Sequence, residues 1–152
     1  MTRTETDKSF NAPKRTPTVD SVLSGARVLV IDDNPAILRA IARVLKNAEV
    51  TTALGGPLAL EMLAENASFD AVVCDVMMPD VSGPQVFAHI QSNYSHLCSR
   101  FSFCSAGVRD PELQACIDSL DRPMIPKPFD CTQMRQRVVD LILHGRTTLR
   151  SC

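Results

Sequence analysis

Five short apolar runs, each closing on a polar or charged residue, constrain this chain more than any other feature. They are Arg27-Val28-Leu29-Val30-Ile31, a weaker Glu49–Leu54, Ala71–Cys74 behind Phe69, Phe101–Cys104, and Met124-Ile125. Such runs are too short for core helices, and β-branched or aromatic residues stand in most of them, so they read as buried strands. Between them the apolar spacing turns helical. Ile37, Leu38, Ile41, Val44, Leu45 and Ala48 share one face after a cap at Asp33 or Asn34 and a Pro35 start. A second helix is expected from Pro57, with Leu58, Leu60, Met62 and Leu63 on its apolar side. A third runs from Gly83 to about Ser92 on Val86, Phe87 and Ile90. The fourth starts at Asp110-Pro111 and carries Leu113, Ile117 and Leu120, and the fifth follows Asp130 with Met134, Val138, Leu141 and Ile142 inward.

A βα unit repeated in this way is an α/β domain with a five-stranded parallel sheet and helices on both faces. Pro123 and Pro126 flank and interrupt the fifth strand. Proline removes a ladder donor, so this strand belongs at an edge. The order 2-1-3-4-5 satisfies that constraint and sets strands one and three side by side. Residues 1–24 have no apolar period and are expected to be a flexible leader. Residues 25–145 form the domain, and 146–152 a short tail with no output domain.

The third strand delivers a single carboxylate, Asp75, to its C-terminal tip, and ligands of open α/β sheets sit in the crevice outside those ends. The order above brings Asp32 and Asp33 from strand one into the same pocket. Three carboxylates within about 4–6 Å repel by a few kcal/mol per close pair, so a cation must relieve them. An oxygen-only site of this kind suits Mg²⁺. Asp75 then reads as a nucleophile toward a phosphoryl group. Lys127, after strand five, offers an ammonium to the phosphoryl oxygens, and Ser105, after strand four, offers a hydroxyl.

Read singly, these motifs have plainer meanings: Asp32-Asp33 as a strand end and helix cap, Lys127-Pro128 as a solvated turn, Ser105 as a strand terminus. Together they resemble the receiver domains of two-component response regulators over roughly residues 26 to 144. The resemblance rests on Asp32-Asp33, on Asp75-Val-Met-Met-Pro-Asp-Val-Ser-Gly83, on Ser105-Ala106 thirty residues past Asp75, and on Lys127-Pro128-Phe129 twenty-two past Ser105. It implies a flavodoxin-like (βα)5 fold. It implies phosphorylation at Asp75, with Mg²⁺ held by Asp33, Asp75 and the main-chain carbonyl of Met77, and by Asp32 through water. It further implies that Lys127 pairs with the phosphate ahead of a cis bond to Pro128 and that Ser105 is the switch hydroxyl. One departure stands out: Met124 occupies the place where such domains carry Tyr or Phe.

The function expected is that of a phosphoacceptor served by a sensor histidine kinase or histidine phosphotransfer protein. It changes protein contacts through the fourth helix, fifth strand and fifth helix, as a monomer or a phosphorylation-dependent dimer. It is not a conventional enzyme; self-phosphorylation and autodephosphorylation with Mg²⁺ are its only chemistry. A receiver-like interaction domain that has lost phosphorylation is the alternative, and Met124 is the feature in its favour. A phosphohydrolase with an Asp nucleophile needs a second acid two residues on, where Met77 stands. The net charge of -1 argues against direct nucleic-acid or membrane binding. With no membrane-length apolar stretch or signal sequence, a cytoplasmic location is expected. The six cysteines show no metal or redox spacing and read as free thiols.

Overall fold

A computed structural model of the chain describes residues 12–148. Its sheet contains β1 (Arg27–Asp32), β2 (Glu49–Leu54), β3 (Ala71–Asp75), β4 (Phe101–Ser105) and β5 (Met124–Pro126). All pairings are parallel and the order is β2-β1-β3-β4-β5, as expected. β5 pairs with β4 alone, which leaves Pro126 at an edge where its missing N–H costs no ladder bond.

Alternation along the strands divides the core. Val28, Val30, Ala71 and Val73 point to one face, where α1 (Val19–Leu23), α2 (Pro35–Val44) and α6 (Cys131–Thr148) pack. Leu29, Ile31, Val72 and Cys74 point to the other, under α3 (Gly56–Glu65), α4 (Gly83–Asn93) and α5 (Pro111–Ser119). The rings of Phe87, Phe101 and Phe103 anchor this second layer, with centroids 4.8 and 4.9 Å apart along the chain of contacts. Buried faces on both sides are why these strands are apolar throughout. Asn34 caps α2, accepting the Ala36 N–H at 2.9 Å, with Pro35 at its first turn.

Three sequence expectations need correction. Residues 19–23 of the supposed leader form α1: the Thr18 hydroxyl accepts the Ser21 N–H, and Val22 and Leu23 are buried in the α2–α6 layer. Val19, Val22 and Leu23 have helical spacing, but a single turn does not make a repeating period, so only the packing identifies this helix. Residues 1–11 of the leader lie outside the described residues, as do 149–152, while α6 continues to Thr148 past the expected boundary at 145. On α3 the inward face is Ala59 and Leu63; Leu58 is exposed, and Leu60 and Met62 are only half-buried. A 3-10 helix, Ser95–Arg100, precedes β4 and buries Leu97.

Arg135 joins the α1–α6 contact. Its guanidinium pairs with Asp20 on α1 and donates to the Val44 carbonyl at the end of α2, at 2.8 Å. Leu23 is fully enclosed. Leu23→Ala therefore costs about 3 kcal/mol of unfolding free energy, the usual penalty for emptying a leucine-sized core site. Urea denaturation measures it; a loss under about 1 kcal/mol contradicts the docking of α1.

Candidate functional site

β3 is buried along its whole length and ends at Asp75, 8% exposed. The register Ile31↔Cys74 places the next residue of β1, Asp32, beside it at 2% exposure. The Asn34 N–H donates to Asp32 Oδ1 at 2.8 Å, so the cap that begins α2 also holds this carboxylate. Asp33 follows on the exposed rim. One carboxylate oxygen from each of Asp32, Asp33 and Asp75 lies within 4.8 Å of the others. At that separation and an effective dielectric near 20, each ionised pair repels by about 3 kcal/mol.

Lys127 answers that repulsion. Its ammonium donates to Asp32 Oδ2 at 2.6 Å and lies 3.2 Å from Asp75 Oδ1. The Lys127 N–H donates to the Ser105 carbonyl at 2.8 Å, which ties this residue to the end of β4, and the Lys127–Pro128 bond is cis. Burial pushes the Asp75 carboxyl up, Asp32 adds to this, and Lys127 opposes both, leaving a pKa of about 6. Burial alone would lower Lys127, but its bond to Asp32 and the charge of Asp75 prevail and hold it above the ordinary lysine value. The donor set is oxygen-only, anionic and open toward Asp33, which fits a hard divalent cation such as Mg²⁺.

Ser105 is 8% exposed at the end of β4, one pairing step past Asp75↔Cys104. Its Oγ accepts the Gly107 N–H at 3.1 Å, so its own proton remains available to donate. Beside it a cleft of about 500 Å³ is bounded by Ile117, Gln114, Lys127 and the half-buried Met124. Met77 lies in the loop after β3 with its side chain 59% exposed. Cys74 and Cys104 are buried, and burial raises both thiols, Cys104 to about 11. The five cysteines among the described residues are free.

Two residues that shape the site are glycines read from the sequence only as helix-start and turn signals. A Cβ on Gly83 would overlap the Asp75 carbonyl, and one on Gly56 would overlap the backbone and side chain of Val81. The Gly83 N–H donates to the Val76 carbonyl at 2.8 Å, while Ser82 and Gln85 form a reciprocal capping box. Together these contacts fix the loop from Val76 to Ser82. A glycine directly after a Ser cap was the available signal, but contact with Asp75 exists only in three dimensions.

The family model described as "Response regulator receiver domain" matches residues 28–139. Transcriptional regulatory protein PrrA of Mycobacterium tuberculosis is 31% identical over 137 residues, covering 88% of this chain and 57% of PrrA. Sensor protein TorS of Escherichia coli is 34% identical over 108 residues, covering 70% of this chain but 12% of TorS. The chain thus spans only part of the length of these relatives. A response regulator receiver domain protein from Clostridium thermocellum superposes with a TM-score of 0.70 at 26% identity, covering 82% of this chain and 98% of that one.

Two expectations test the geometry. In divalent-free buffer Asp75 binds its proton more tightly folded than unfolded, so it destabilises the fold as pH rises. The penalty is absent below the ordinary value of 3.8, grows through pH 4 to 6, and is complete above about 6. Asp75→Asn removes it, so the variant's stability advantage over wild type widens by about 1–2 kcal/mol across that window. Urea denaturation of both proteins from pH 4 to 7.5 checks this; a constant gap contradicts it. Gly83→Ala is expected to cost at least about 2 kcal/mol and to shift the backbone amide resonances of Asp75 and Val76.

Proposed function

The chain belongs to the response regulator receiver domain family, and from that premise we propose that it is a phosphoacceptor switch in a two-component pathway. Asp75 takes a phosphoryl group from the phosphohistidine of a sensor histidine kinase or histidine phosphotransfer protein. The observation that carries this reading is the Lys127 ammonium at 2.6 Å from Asp32 and 3.2 Å from Asp75. A cation held on the phosphoacceptor and on its buried neighbour stands where phosphoryl oxygens arrive.

An Asp75 carboxylate oxygen attacks phosphorus, the P–N bond to the donor imidazole breaks, and its electron pair stays on the imidazole nitrogen. The product is an acyl phosphate on Asp75. Asp32, Asp33, Asp75 and the main-chain carbonyl of Met77 would hold Mg²⁺, whose chemistry there is to offset the carboxylates and the phosphoryl oxygens. Lys127 leaves Asp75 for a phosphoryl oxygen while keeping Asp32, and the Ser105 hydroxyl donates to another. The resulting movement is read by a downstream protein on the α5–β5–α6 face, a reading supported by the cleft at Met124 beside Ser105. Residues 25–145, extended by α1, act as the receiver unit, alone or as a phosphorylation-dependent dimer.

The second reading is an interaction domain that keeps the fold without switching, and the open cleft at Met124 favours it. The two separate in one experiment. Acetyl phosphate with Mg²⁺ is expected to add one phosphoryl group per chain by intact mass. Asp75→Asn and chelation of Mg²⁺ should each abolish this, and Mg²⁺ with beryllofluoride should shift the Ser105 and Lys127 amide resonances. Labelling of Asp75→Asn at wild-type stoichiometry defeats the phosphoacceptor reading, and labelling without any beryllofluoride response supports the static domain.

A further inference from the structure

We infer that the groove beside Asp33, between the end of β2 and the loop after β3, seats the protein that donates the phosphoryl group, through an apolar side chain flanked by Lys or Arg. This rests on the reading of Asp75 as a phosphoacceptor. The large apolar side chains left exposed among the described residues are Leu54 at 53%, Leu58 at 37% and Met77 at 59%. All three gather at the pole of the sheet that carries the acidic site. Leu54 is the cross-strand partner of Asp32, Leu58 lies in the first turn of α3, and Met77 is two residues past Asp75.

Leu54, Pro57, Leu58 and Pro79 line a groove of about 430 Å³ together with the carboxylates of Asp33, Glu61 and Asp80. Pro79 also borders a smaller hollow of about 350 Å³ that includes Met77 and Leu113, so the apolar rim is continuous around this side of the site. Exposed apolar side chains around a polar mouth mark a contact surface. The buried face of α3 is formed by Gly56, Ala59 and Leu63, and Leu58 is not part of it. Leu58 and Glu61 stand one turn apart on the outer side, where a single partner helix can meet both.

The charge of the groove selects the partner. Asp33, Glu61 and Asp80 make no ion pair among the described residues. An acidic rim repels a bare phosphate and attracts a basic protein surface, which both steers encounter and fixes register. Asp33 belongs to the groove and to the acidic cluster, so a partner seated there is next to the reacting carboxylate. A small donor has no apolar surface to place against Leu54 and Leu58, so the groove discriminates protein donors from small ones.

Leu58→Glu and Glu61→Lys test this outside the reacting residues, with Leu58→Ser as a milder third variant and circular dichroism to establish folding. The donor is whichever member of a panel of purified, autophosphorylated histidine kinase cores labels wild type fastest, with acetyl phosphate run in parallel. Transfer from the kinase is expected to fall at least tenfold for Leu58→Glu and Glu61→Lys and to slow with added salt in wild type. Acetyl phosphate labelling should stay within twofold of wild type for every variant. Wild-type kinase transfer by the folded variants overturns the groove as the donor's seat. So does a wild type that labels with acetyl phosphate but with no kinase in the panel. Failure of wild type with acetyl phosphate itself removes the phosphoacceptor reading instead.

Discussion

The contact of the Lys127 ammonium with Asp32 and Asp75 is the interaction on which the rest of the arrangement depends. Three carboxylates within 4.8 Å, two of them nearly enclosed, resist assembly by several kcal/mol. A single cation bridging the two buried ones offsets much of that cost. It is supplied from the opposite side of the sheet's midline, by the residue after edge strand β5, so the site is complete only when β1, β3, β4 and β5 lie side by side.

The platform beneath these charges is stiff for reasons unrelated to charge. β3 is central, buried on both faces, and extended by Val76, which remains in the core. Gly83 lets α4 begin directly against the Asp75 backbone, and Gly56 lets α3 close on Val81. The loop between Asp75 and Gly83 is thereby fixed at both ends while Met77 faces solvent. Asp75 is thus rigidly placed, whereas the Ser105 hydroxyl accepts the Gly107 N–H beside a cleft at Met124. One side of the site is packed tightly; the other borders open space.

The electrostatics point the same way. Burial drives the Asp75 carboxyl toward its protonated form. Lys127 brings the pKa back only to about 6, so cations at the site govern how fully the Asp75 carboxyl is ionised. An acidic rim with exposed leucines beside it adds a further condition, because it favours a basic, apolar protein surface over a free anion.

Much of this was legible in the residues themselves. Five apolar runs with polar ends determined the sheet, the prolines around β5 determined its edge, and the order that followed brought Asp32, Asp33, Asp75, Ser105 and Lys127 to one pole. Periodicity was less informative where an element is short or its neighbours unusual. It missed α1, whose Val22 and Leu23 matter only because α6 is there to receive them. It also turned Leu58 inward, since a count of apolar positions does not reveal that the small Gly56 and Ala59, with Leu63, make the buried face of α3. The sequence by itself determined which chemical groups converge, because strand order and strand ends are local and topological facts. Tertiary structure alone decided what lies between them: the 2.6 Å bridge from Lys127, the room that Gly83 leaves for Asp75, and the leucines stranded on the rim. Those depend on distances between segments far apart in the chain, which no local pattern encodes.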